Sequence, residues 1–188
     1  MTLYVKNMVC DRCIMIVRQQ MENLGFVVEE ISLGKAEVTP EPNANQLKEI
    51  ASIFQHLGFE LIDKEKDQLV EQIKTEIIKL VHYTELHALR QNLTQLLADS
   101  LNKEYGYISR LFSEKEGITI EHYIIQQKIE KVKELLEYAA LNLNEIAYKM
   151  GYSSSAHLSS QFKAITGSSP SMYKKSANQQ RRPLDKVK

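Results

Sequence analysis

FSEKEGITIEHY at residues 112–123 and FKAITGSSPSMY at residues 162–173 are one line written twice. Phe112, Gly117, Thr119 and Tyr123 reappear fifty positions on as Phe162, Gly167, Ser169 and Tyr173. Each Phe closes an apolar stripe at three- and four-residue steps, Ile108-Leu111-Phe112 and Leu158-Phe162-Ile165, so each marks an amphipathic helix with one buried face. Gly117 and Gly167 fall where such a helix ends in a left-handed residue, and Thr119 and Ser169 are placed to cap the next helix. Pro170 suits a first helical turn. Upstream of each stripe lies a shorter one, Leu93-Leu96-Leu97-Leu101 and Leu143-Ile146-Ala147-Met150. The pattern predicts two helix-turn-helix units, each fifty residues from its copy.

This arrangement resembles the DNA-binding domain of AraC/XylS-type transcription regulators. The likeness is carried by NLNEIAYKMGYSSSAHLSSQFKAITGSSPSMYKK from Asn142 and by NKEYGYISRLFSEKEGITIEHYI from Asn102, with a connecting helix from about residue 119 to 138. The helix expected over about residues 69–83 resembles the family's first helix, so the likeness runs from about 69 to 175. It implies double-stranded promoter or operator DNA as partner, with RNA polymerase a possible second one. Groove-facing residues are then those that the core does not claim: Tyr105, Gly106, Ser109 and Arg110 in the first unit, and Ser155, Ala156, His157, Ser159, Ser160 and Lys163 in the second. A guanidinium grips guanine bidentately, which makes Arg110 the strongest candidate reader. Tyr105 and His157 are equally explained as packing residues. The family often has Arg where this chain has Ser160, so the second unit is expected to anchor on the backbone more than it reads bases.

The 188 residues carry 24 basic and 24 acidic side chains, and this balance hides a gradient. Residues 142–188 hold eight basic against two acidic side chains, whereas residues 84–141 and 1–66 are both net acidic. Phosphate binding needs local positive potential, which the last segment supplies. No run of about eighteen apolar residues suggests a membrane helix, and the opening does not read as a signal peptide, so a cytosolic protein is expected.

Residues 1–66 read as a separate domain: strand 3–7, helix 11–24, strands 26–31 and 36–39, helix 45–57 and strand 59–63. Ile14, Val17, Met21 and Leu24 would be buried from the first helix, and Leu47, Ile50, Ala51, Phe54 and Leu57 from the second. The βαββαβ order predicts a ferredoxin-like α+β domain. It precedes an all-α double helix-turn-helix domain over 67–176 and a basic, solvated tail over 177–188. Residues 64–68 are the whole linker. Val70, Ile73, Ile77 and Leu80 would fill a core or, alternatively, form a homodimer seam.

Cys10 and Cys13, the only cysteines, fall at the first strand-helix junction. A helix N-terminus with Arg12 and Arg18 nearby should lower a thiol pKa and favour a soft metal ion such as Cu(I). Zinc would want four ligands, and His56, the nearest candidate, is already explained by its place in a last helical turn. The stretch resembles the heavy-metal-associated domain of copper chaperones and metal-pumping ATPases, whose Met-x-Cys-x-x-Cys loop matches Met8, Cys10 and Cys13. Asn7 stands where that family usually has Gly, and Asp11-Arg12 where it has small or polar residues, which leaves the metal's identity open. The alternative is a metal domain retained for dimerisation or for sensing another ligand, its thiols idle or redox-active. Nothing beyond the cysteine pair resembles a nucleophile with its base, so no enzyme is expected. The reading is a transcription regulator responsive to a soft metal ion or thiol signal; the alternative is a copper-binding protein with vestigial DNA binding.

Overall fold

The computed structural model describes residues 1–89, 91–138, 140–175 and 181–187. It divides into two compact units, Met1–Thr75 and Glu76–Lys188. The division falls inside α3 (Glu65–Tyr83), beyond the expected linker at residues 64–68. Val70, Ile73 and Ile77 of α3 are buried within the chain and Leu80 is half-buried.

The first unit runs β1 (Thr2–Lys6), α1 (Asp11–Asn23), β2 (Val27–Ser32), β3 (Lys35–Thr39), α2 (Ala44–His56) and β4 (Glu60–Leu61). The strands form one antiparallel sheet in the order β2-β3-β1-β4. Alternation puts Leu3 and Val5 of β1 and Ala36 and Val38 of β3 on one face. There they share a core with Val17 and Met21 of α1 and Ile50 and Phe54 of α2, so both helices cover the same side of the sheet.

Three local expectations shift. Strand β4 is two residues long, because beyond Leu61 the Ile62 carbonyl accepts from the Gln68 side chain at 2.8 Å as α3 begins. Leu57 is exposed, since α2 has ended and the chain turns at Gly58 with φ of 85°. Ile14, Leu24 and Leu47 only line the core's margin.

The second unit contains the rest of α3, then α4 (Leu93–Leu101), α5 (Tyr105–Glu116), α6 (Ile120–Tyr138), α7 (Leu143–Lys149), α8 (Ser155–Thr166) and α9 (Pro170–Lys175). Among the described residues no helix is long and apolar enough to cross a membrane. Helix α6 is the hub. It buries apolar Ile120, Ile124, Ile129, Val132 and Leu136, and also Gln127, Glu130 and Lys133. Buried polar groups need partners. Gln127 accepts from His82 Nε2 at 2.9 Å and donates to Tyr123 Oη at 3.0 Å and to the Leu184 carbonyl at 3.2 Å. Glu130 pairs with Lys133 at 2.8 Å and Arg182 at 3.0 Å.

The expected solvated tail is therefore docked where it is described. Arg181 pairs with Glu134 at 2.8 Å, and Val187 is buried. The reason is charge: α6 presents Glu130, Glu134 and Glu137 in a row, and Arg181 and Arg182 answer it. The remaining tail positions, residues 177–180 and 188, lie outside the described residues.

Candidate nucleic-acid interface and cysteine loop

The two helix-turn-helix units are built by matching local chemistry. Asn92 caps α4 by accepting from the Gln95 N–H at 2.7 Å, and Asn142, fifty positions on, caps α7 in a reciprocal box with Glu145. Such caps satisfy donors that a helix start leaves bare. At the other end, α5 stops at Gly117 (φ 74°) and α8 at Gly167 (φ 79°). Thr119 then accepts from the His122 N–H at 3.1 Å and Ser169 from the Met172 N–H at 3.2 Å, as the spacing predicted. The closing aromatics repeat as well. Phe112 and Tyr123 hold ring centroids 5.5 Å apart, and Phe162 and Tyr173 do the same.

The turns between paired helices do not repeat. The first turns through Asn102, left-handed at φ 49°, the second through Gly151 at φ 67°. Gly151 corresponds to position 101 under the fifty-residue shift, so the left-handed corner comes one residue earlier in the second unit. Helix α7 is accordingly shorter than α4, and its turn longer.

On the candidate reading helices, Gly106 and Arg110 of α5 and Ala156, His157, Ser160 and Lys163 of α8 are exposed. The side chains of Arg110 and Lys163 have no hydrogen-bond or ion-pair partner among the described residues, which leaves both cations available to a ligand. The other four candidates are half-buried. The Tyr105 hydroxyl donates to Glu121 at 2.5 Å, tying the start of α5 to the start of α6. Burial and this bond push the Tyr105 phenol pKa up, and the same bond holds the Glu121 carboxyl below its usual range. The Ser159 hydroxyl donates to the Ser155 carbonyl at 2.8 Å. Both hydroxyls are thus engaged inside the domain.

His157 stands edge-on to Tyr152, with centroids 5.4 Å apart, and its Nδ1 lies 3.2 Å from Ser153 Oγ. Its counterpart under the repeat is Tyr107, 46% exposed on α5, which sequence reading passed over. The fifty-residue shift applied to His157 finds it.

In the first unit, Cys10 is the residue before α1, and its side chain makes no capping bond. Its Sγ lies 3.5 Å from Cys13 Sγ, both half-buried. Burial pushes the Cys13 thiol up, against the lowering expected from the helix start. Arg18 offers no counterweight, since it reaches the Val28 carbonyl at 3.4 Å and Glu22 at 3.9 Å. Asn7 adopts φ of 71°, a conformation that Gly takes freely and Asn tolerates. It is pinned there by its side chain on the Gly58 carbonyl at 2.8 Å and its N–H on Glu71 at 3.0 Å. Met8 is 1% exposed and belongs to the core. His56 Nδ1 lies 2.7 Å from the Ser52 carbonyl on its own helix. Among the described residues, no three His, Cys, Asp or Glu side chains are grouped to hold a metal.

Residues 97–176 match the helix-turn-helix domain family. The chain is 27% identical over 144 residues to the Msm operon regulatory protein of Streptococcus mutans serotype c, covering 73% of this chain and 50% of that protein. It is 24% identical over 184 residues to the xylose operon regulatory protein of Escherichia coli strain K12, covering 88% of this chain and 47% of that one. The chain spans about half the length of these curated relatives. Among solved structures, it is similar to the C-terminal domain of AraT, a response regulator from Geobacillus stearothermophilus. That likeness is 28% identical, covers 60% of this chain and 88% of that one, and has a TM-score of 0.49. The family match at residues 97–176 opens inside α4 and runs to the end of α9.

Proposed function

We propose that the chain is a sequence-specific transcription regulator of the AraC/XylS type, in which α5 and α8 enter the grooves of promoter DNA. One observation supports this above the rest. The two units repeat cap, glycine stop and aromatic closure, yet each presents its own exposed set, Arg110 in one and Ser160 with Lys163 in the other. Division of labour follows: Arg110 reads a base edge, while Lys163 with the basic C-terminal segment holds phosphates. The operon-regulator names of the relatives agree with this reading.

We read the first unit as a ferredoxin-like domain of the heavy-metal-associated kind, supported by its element order and by Met8, buried in the core two residues before Cys10. Two soft sulfur donors, with no third His, Cys, Asp or Glu grouped beside them among the described residues, suit a soft ion such as Cu(I) better than a four-coordinate zinc. The ion, or oxidation of the pair, would bias DNA binding. Promoter-fragment binding by the full chain, with and without Cu(I), Zn(II) and diamide, compared with the Cys10→Ser/Cys13→Ser double variant, tests both parts. A metal- or diamide-dependent change in affinity that the double variant lacks is expected. Identical curves in every condition would remove the sensor, and no binding in any condition would remove the regulator.

A further inference from the structure

Lys128 lies on α6 with its ammonium 4.7 Å from the centroid of the Tyr152 ring. Among the described residues it has no carboxylate partner, and burial alone pushes its pKa down. A half-buried cation held only by a ring face is under-compensated, because an aromatic face replaces little of the water removed. Something of opposite charge would restore what burial took away.

The space beside it is a solvent-open cavity of about 450 Å³, lined by residues of the second unit alone. That is within the range of small-molecule sites. Leu86, Leu93, Ile124 and Ile125 supply apolar lining, and among the polar lining residues Lys128, Tyr152 and Gln161 come together. Tyr152 organises this group. Its ring lies under the ammonium, and its hydroxyl donates to Gln161 Oε1 at 2.7 Å, while the Gln161 amide N–H groups have no acceptor among the described residues. An ammonium and an amide N–H, together with apolar lining, is the donor set for one carboxylate with an apolar body. Glu121 also lines the cavity, but its carboxylate is engaged by Tyr105.

We propose that this cavity binds a small organic monocarboxylate, its carboxylate on Lys128 and Gln161 and its apolar body against Leu93, Ile124 and Ile125. The occupant would touch the start of α4, the connecting helix α6 and the first turns of α8 together. It would thereby bridge the two helix-turn-helix units. The site concerns this domain alone and does not require the cysteine reading.

Isothermal titration of the full chain with benzoate, 2-naphthoate and decanoate, each against its neutral alcohol, tests the site. Saturable binding of at least one carboxylate at one per chain is expected, with the alcohol weaker by roughly tenfold or more. Lys128→Met should abolish that preference and Lys128→Arg should keep it. If Lys128→Met does not fold by circular dichroism, Gln161→Leu takes its place, with a smaller loss of the same sign. No saturable binding by any of the three carboxylates, equal binding of acid and alcohol, or a preference unchanged in the variants would overturn the proposal. So would a Lys128→Met variant whose only change is a shallower salt dependence of DNA binding, which would assign the ammonium to a DNA phosphate.

Discussion

The Glu130 carboxylate, 1% exposed, is bracketed by Arg182: one oxygen accepts from the Arg182 side chain and the other from its backbone N–H, both at 3.0 Å. Lys133 takes a further bond at 2.8 Å. Removing the carboxylate in Glu130→Ala takes the 2.8 Å partner from a buried ammonium and two bonds from Arg182. The expected loss is about 3–5 kcal/mol. Arg182→Ala leaves Lys133 in place and should destabilise less. Urea denaturation of the two variants checks the order, and an equal or reversed order would mean that the docked segment, not the buried carboxylate, holds this face.

Phe112 and Phe162 are both fully buried, each against its own tyrosine. Truncation to Ala should destabilise by about 3–5 kcal/mol at either site. The informative result is the comparison, because matched environments predict matched losses. A difference beyond about 1 kcal/mol in thermal or chemical unfolding would show that the halves are packed unequally.

Gly117 and Gly167 are both left-handed, with open space where a Cβ would go. Gly→Ala at either therefore meets backbone strain and no clash, at a cost of about 1–2 kcal/mol. Asn at the same positions should recover part of that loss. Melting temperatures of the four single variants would test this, and a costless Ala at both sites would contradict it.

His82 is held neutral by burial, with its Nε2–H on Gln127, so its pKa is lowered in the folded protein. A histidine that titrates lower when folded leaves stability unchanged above its unfolded value near 6.5 and weakens the fold as pH falls below it. Glu121 and Glu134 have lowered pKa values and act only at more acid pH. Between about pH 7.5 and about pH 5.5, the second unit should lose stability, and His82→Gln should lose less. A parallel pH profile in wild type and variant would exclude this histidine as the source.

Arg110→Ala should cost about 1–3 kcal/mol at the preferred sequence and relax discrimination at one base pair. Lys163→Ala should weaken every sequence alike and flatten the salt dependence by about one phosphate contact. Competition binding against a randomised operator separates the two, and equal loss of specificity in both variants would contradict the division.

What the sequence disclosed here was whatever repeats or alternates. Caps at Thr119 and Ser169, stops at Gly117 and Gly167, and the strand-helix order of the first unit depend on neighbours a few residues away, and local spacing records them. The Glu130–Arg182 bracket and the Tyr105–Glu121 bond do not leave such a trace. They join residues 52 and 16 positions apart through side chains that look solvated in isolation. The Cys13 thiol misled for a related reason. A helix start argues for a lower pKa, but burial, invisible in a Cys-x-x-Cys spacing, is the larger influence.

The one-residue offset between Asn102 and Gly151 limits how the halves can be exchanged. A graft cut after the corner, carrying α5 with its glycine stop into the place of α8, keeps Phe112 in register with Phe162. A graft that includes α4 brings a left-handed asparagine corner to the position of Tyr152, which is not left-handed, with a glycine removed from the position before it. The repeat is thus modular on its closing side only, and chimeras that swap reading helices should be joined between the corner and the first turn of the helix.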